Sequence, residues 1–157
     1  MKVTLLVIGR TVEKHYQAAI DDYIERIGHF IGFNLEIIPE LKNTKNLSMD
    51  QQKEKEGDLL MKAFQPGDVV VLLDEAGKEY RSVEFADWMG RKMSVVNKRL
   101  VFVIGGPYGF PEKVYRCAGE KISLSKMTFS HQMVRLIFVE QLYRAMSILA
   151  NSPYHHE

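Results

Sequence analysis

The residues able to do chemistry gather in the carboxyl-terminal third, in three stretches: LVFVIGGPYGF, ISLSKMTFSHQM and NSPYHHE. A β-branched run through Val101, Val103 and Ile104 breaks at Gly105-Gly106-Pro107. About a helix later Ile122-Ser123-Leu124 restarts it, ending in the small, polar-tipped residues Ser125, Lys126, Thr128 and Ser130. Two strand ends followed by such loops leave a ledge of unpaired N–H and C=O groups, to which a purine-like edge can hydrogen-bond. In open α/β sheets, ligands sit outside the carboxyl ends of the strands. The pattern reads as a cofactor shelf.

The glycine run Gly105-Gly106-Pro107-Tyr108-Gly109 lacks the Lys-Ser/Thr of a P-loop and does not match GxGxxG. Pro107 also removes an N–H that a phosphate would use. On these residues alone a plain strand-to-helix turn is the better reading. No His/Cys cluster has metal-ligand spacing, and no Ser-His-Asp arrangement is evident. Glu140 and Arg144 lie four residues apart, the spacing of a helical ion pair, as do His131 and Arg135. Cys117, the single cysteine, reads as a small buried hydrophobe rather than a catalytic thiol, and it suits a reducing cytoplasm. The tail Pro153-Tyr154-His155-His156 would ordinarily be taken as a disordered end.

The elements that must position these residues alternate. Strands are expected at Lys2–Ile8, Leu35–Ile38, Asp68–Leu73, Leu100–Ile104 and Lys121–Leu124. Between and after them, apolar residues at helical spacing predict helices over Thr11–Ile27, Ser48 to Phe64, Ser82 onward, Pro111–Ala118 and Ser130 to Ala150. Ser48 with Gln51 forms a capping box, Ser82 is a cap, Ala76-Gly77 a turn, and residues 41–47 a polar loop. This alternation predicts one α/β domain over residues 1–157, with a mainly parallel sheet and helices on both faces. The last helix is apolar nearly all round, from Met133 to Leu149. One side can lie on its own sheet, and the other calls for a partner, most simply a second copy in a homodimer.

Composition is that of an ordinary globular chain, 46% apolar and 26% charged. No apolar run approaches the roughly 20 residues needed to cross a bilayer, so no membrane partner is expected. Net charge is +1 but uneven: residues 1–88 carry 11 Lys/Arg against 16 Asp/Glu, and residues 89–144 carry 10 against 3. Positive charge gathered around the shelf could hold a nucleic acid locally, or could be a solvated helix face.

The combination of GGPYG, LSKMTFSHQMVRLIFVEQLYRA and a terminal NSPYHHE closely resembles the RlmH-type large-subunit ribosomal RNA pseudouridine methyltransferases of the SPOUT superfamily. The likeness covers the whole chain and is most specific in these carboxyl-terminal motifs. It implies a deep trefoil knot, a homodimer, S-adenosylmethionine as methyl donor with no metal, and methylation of N3 of a pseudouridine in helix 69 of 23S rRNA on assembled cytoplasmic ribosomes. By matching position, the cofactor would touch Leu73, Gly105, Leu124, Ser125, Lys126, Met127, Thr128 and Phe129. Arg144 would stabilise the imide anion or grip a phosphate, and Glu140 would fix its direction. The tail would complete the site across the dimer, Tyr154 stacking on a base and His155 accepting a proton. Family members commonly carry arginine where His156 stands, so a phosphate contact there is not carried over. Rival readings are a SPOUT enzyme for another RNA such as tRNA, a non-catalytic ribosome-binding factor, and a generic nucleotide-binding enzyme.

Overall fold

The computed structural model describes residues 1–156, with Glu157 outside the described residues. Five strands, β1 (Lys2–Ile8), β2 (Phe33–Ile38), β3 (Val69–Glu79), β4 (Arg99–Ile104) and β5 (Glu120–Ser123), form one sheet in the order β2-β1-β4-β3-β5. Every pairing is parallel. Parallel strands need crossovers, and five helices supply them or follow them: α1 (Lys14–Gly28), α2 (Met49–Ala63), α3 (Ser82–Val95), α4 (Glu112–Cys117) and α5 (His131–Leu149).

Alternate side chains of each strand feed separate cores. Leu5, Val7, Val71, Phe102 and Ile104 join α1, α3 and α5 on one face. Leu6, Val70, Leu72, Val101 and Val103 meet α2 and α4 on the other. The central strands are therefore apolar almost continuously, as doubly covered strands must be. The larger core centres on Phe102, whose ring lies 4.7 Å from Phe138, 5.8 Å from Trp88 and 6.3 Å from Phe85.

Local chemistry explains most element ends. Ser48 accepts from the Gln51 N–H while the Gln51 side chain accepts from the Ser48 N–H, so α2 begins on the expected capping box. Ser130 caps α5 by accepting from the Met133 N–H. Three expectations are corrected. Ala76-Gly77 do not turn the chain: β3 runs through them to Glu79, shifting register against β5 between Leu73 and Lys78. The apolar pattern ends at Asp74, but backbone pairing at a sheet edge needs no apolar side chains. Ser82 is the first helical residue rather than the cap; Glu84 accepts the Arg81 N–H, and the Ser82 hydroxyl donates to Gln141 of α5 at 3.0 Å. Cys117 is exposed, because α4 is a short helix whose buried residue is Val114. The loop at 41–47 contains one 3₁₀ turn, Thr44–Asn46.

α5 lies between α1 and α3. Phe138, Val139, Leu142, Ala145 and Met146 are buried against the sheet. Met133, Leu136, Ile137 and Tyr143 are only half-buried, so the apolar excess on this helix is left partly uncovered within one chain. Truncating the ring at the centre of the main core should be costly. Phe102→Ala is expected to lower unfolding free energy by about 3–5 kcal/mol, measured as a fall in the urea midpoint with the slope unchanged.

Candidate active site

At the carboxyl ends of β3, β4 and β5 the chain leaves a cleft of about 690 Å³. Three backbone segments build it: Leu73–Glu75, Ile104–Phe110 and the loop from Leu124 into the first turn of α5 at Val134. Met49 and Lys53 of α2 and Tyr115 of α4 close the remaining side.

The glycine loop is a tight reversal. Gly109 N–H donates to the Gly106 carbonyl at 3.1 Å, and Gly109 takes a φ of +80°, which favours glycine. Behind the loop Glu56 of α2 sits so close that a Cβ on Gly106 would lie 2.4 Å from its Oε1. Glu56 is 4% exposed, and that Oε1 has no hydrogen-bond partner among the described residues; Gln52 donates to Oε2 at 3.4 Å. Burial pushes this carboxyl above the ordinary glutamate range, and the charge of Glu40 adds to the rise. The loop after β5 is held by its serines: Ser123 donates to the Ser125 carbonyl, and the Ser125 hydroxyl accepts from the Met127 N–H, each at 3.0 Å. On the opposite wall Tyr115 donates to Asp74, which also accepts the Ala76 N–H at 2.8 Å. Burial and that carboxylate both push the Tyr115 phenol well up. His131, at the cleft and near Arg135, is pushed down, first by burial and then by the Arg135 charge.

Of the eight residues assigned to the cofactor by matching position, Leu73, Gly105, Leu124, Ser125, Met127, Thr128 and Phe129 line this cleft. Lys126 does not: its side chain is 84% exposed and pairs with Glu79 at 3.6 Å. Asp74, Glu75, Tyr115, Met49 and Lys53 also line it. The period-3.6 pattern of α2 put Met49 and Lys53 on one face, but only the fold shows which loop that face meets.

The lining distinguishes between cofactors. Leu73, Ile104, Leu124, Phe129 and Val134 give apolar walls suited to a purine, and the loops offer main-chain groups. Lys53 is the one lysine or arginine in the lining, beside two carboxylates, Asp74 and Glu75. That balance is wrong for a polyphosphate and right for an adenosine carrying a cationic sulfonium. The residues present fit S-adenosylmethionine.

The four residues assigned to catalysis assemble elsewhere, into one network. Arg144 donates to Glu140 at 2.6 Å and to His155 Nδ1 at 3.1 Å. Its guanidinium lies 4.8 Å over the Tyr154 ring. Tyr154 donates to the same Glu140 oxygen at 3.0 Å and packs edge-on to Tyr143. The tail is thus a folded element, contrary to the disordered reading of terminal residues. Arg144 is thirteen residues along α5 from His131, about 20 Å at helical rise. Within one chain the cleft and this network stay apart. Arg135, the other arginine of α5, is 2% exposed and ties α5 to β1, donating to Thr11 Oγ1 and the Ile8 carbonyl.

Part of the basic excess of residues 89–144 is paired in three dimensions. Lys92 pairs with Glu120, Arg99 with Asp68 and Glu36, Lys113 with Glu54 and Asp58, Arg116 with Glu112, Lys126 with Glu79, and Arg144 with Glu140. Acids from outside this segment supply the partners of Arg99, Lys113 and Lys126. Among the described residues no group of three His, Cys, Asp or Glu is placed to hold a metal ion, and no helix is long and apolar enough to cross a membrane.

The fold is a parallel α/β sheet whose cleft lies at the carboxyl ends of its strands. Residues 1–155 match the family described as predicted SPOUT methyltransferase, and the chain belongs to that family. It is 77% identical over all 157 residues to a protein of Phocaeicola vulgatus named ribosomal RNA large subunit methyltransferase H, covering the whole of both chains. A protein of that name from Bacteroides thetaiotaomicron is 76% identical over the same span. One from Christiangramia forsetii is 57% identical over 156 residues, 99% of each chain.

The buried Glu56 carboxyl has a checkable consequence for stability. Its pKa is higher in the folded chain than in the unfolded one, so its contribution is fullest at low pH and is lost as pH rises above about 4.3. Glu56→Gln should therefore gain stability relative to the wild type as pH rises from 4 to 8, read as the difference between their urea midpoints. A difference that stayed flat across that range would contradict the assignment.

Proposed function

We propose that this chain is an S-adenosylmethionine-dependent methyltransferase of large-subunit ribosomal RNA, acting on N3 of a pseudouridine in helix 69 of 23S rRNA within the assembled cytoplasmic ribosome. Its full-length identity to relatives named ribosomal RNA large subunit methyltransferase H carries the reading. The cleft's apolar walls and the carboxylates of Asp74 and Glu75 at its edge agree with it. The knotted carboxyl-terminal topology of the family belongs to the same proposal.

When bound, the cofactor supplies a methyl group already activated by its sulfonium leaving group. The protein's work is then alignment, and making N3 nucleophilic by weakening its bond to hydrogen. Main-chain groups of Gly105 and of Leu124–Phe129 would hold the adenosyl part, while Asp74 and Glu75 place negative charge at the rim. Arg144, aimed by Glu140, would stabilise the imide anion left when N3 gives its proton to solvent, and Tyr154 would stack on a base.

This division of labour needs a homodimer, in which the tail network of one protomer meets the cleft of its partner. Two observations support it: the 20 Å separation along α5, and the half-buried Met133, Leu136, Ile137 and Tyr143 on that helix. RNA recognition rests on the dimer surface and on the shape of the assembled ribosomal particle.

Intact ribosomes should accept methyl groups from labelled donor, mapped to pseudouridine N3, while stripped rRNA and a helix 69 oligonucleotide should not. Label in tRNA, or efficient methylation of the naked oligonucleotide, would reject the reading. Arg144→Ala should lower kcat about 100-fold or more at unchanged donor affinity by calorimetry. A protein that ran as a monomer while fully active would remove the composite site.

A further inference from the structure

Two glycines where α2 meets the glycine loop are not required by their backbone conformation. Positive φ falls at Gly9, Gly67 and Gly109 among the glycines, and neither Gly106 nor Gly57 shares it. Gly57 also sits inside α2, where glycine is disfavoured. What each lacks is room. A Cβ on Gly106 would lie 2.6 Å from the Glu56 carboxyl carbon, and one on Gly57 would lie 3.1 Å from Pro111 Cδ. Glu56 and Gly57 are neighbours on α2, while Gly106 stands early in the loop and Pro111 ends it as the N-cap of α4. Helix and loop are therefore seated on each other at two points. At each point a side chain of one fills the space left by a glycine of the other.

The same side of α2 reaches the cleft. Met49, Lys53 and Glu56 follow at four and then three residues, the spacing of one helix face. Met49 and Lys53 line the cleft together with Gly106. Lys113 of α4 pairs with Glu54 and Asp58 of α2, on either side of the joint in sequence. A hydrocarbon side chain would fill this joint at lower cost, because Glu56 is buried with Oε1 unpartnered among the described residues. The planar carboxyl is thin enough to lie on the bare Cα of Gly106, where a branched side chain would push the loop away from the helix.

We propose that Glu56 is a positioning residue for the methyl donor: its carboxyl, wedged between α2 and Gly106, sets how far the glycine loop stands from the α2 wall and so the width of the donor's seat. The proposal rests on the reading that the cleft binds S-adenosylmethionine.

The test compares full-length wild type, Glu56→Ala, Glu56→Gln, Gly106→Ala and the Glu56→Ala/Gly106→Ala double variant. S-adenosylmethionine binding is measured by calorimetry and donor KM by methyl transfer to intact ribosomes, with a urea unfolding curve to establish a cooperative fold. Glu56→Ala and Gly106→Ala should each weaken donor binding about tenfold and raise donor KM to match, with KM for ribosomes unchanged. Glu56→Gln, which keeps the planar group, should recover most of the loss seen with alanine. In the double variant the added methyl enters the space the carboxyl leaves, so the donor should bind more tightly than to Gly106→Ala alone. If Gly106→Ala binds the donor like wild type, if it costs the same factor with and without the Glu56 carboxyl, or if folded Glu56→Ala binds like wild type, the inference fails and the reading of the cleft stands. If wild type takes up no donor, the reading of the cleft fails and takes the inference with it.

Discussion

Both faces of the five-stranded sheet must be sealed before its strand ends can serve as a binding surface, and that sealing organises the molecule. Phe102, clasped by Phe138, Trp88 and Phe85, joins β4, α5 and α3 on one face. On the other, α2 and α4 cover Leu72, Val101 and Val103. With water excluded from both sides, the apolar cleft walls and the main-chain groups at Gly105 and Leu124 keep fixed positions. The same constraint makes α5 apolar on most of its circumference, because one helix closes the core against the sheet and packs between α1 and α3.

Part of the carboxyl-terminal charge is paired: Lys92, Arg99, Lys113 and Lys126 face acids brought from α2, β2, β3 and β5. Exposed pairs of this kind contribute little stability, typically under about 1 kcal/mol each. Arg99 is the exception in burial, its guanidinium held by Asp68 at 2.7 Å and Glu36 at 3.1 Å as a tie between β4, β2 and the start of β3.

Separation of the cleft from the tail network is the feature that most constrains mechanism. α5 is a spacer with cleft-lining residues at its first turn and Arg144 near its last. In the proposed homodimer, each chain's tail network would meet its neighbour's cleft. Tyr154 and Arg144 both donate to Glu140, and Arg144 also donates to His155, so the tail is held as an ordered element.

Much of this was legible in the residues themselves. Strand and helix order followed from alternation of apolar periods, and the caps at Ser48 and Ser130 from their spacing, because these depend on neighbours within one turn. The position of the shelf followed as well, since glycines and small polar residues after buried strands leave backbone exposed. Tertiary structure decided what depends on distant partners. It carried β3 past its apolar run onto β5, left Cys117 exposed on a helix too short to bury it, and set Glu56 behind Gly106. It also paired acids of one half with bases of the other, and joined Tyr23 to a tail 131 residues away. Local sequence fixes which backbone and side-chain groups are available; only packing of segments remote in the chain determines which of them meet.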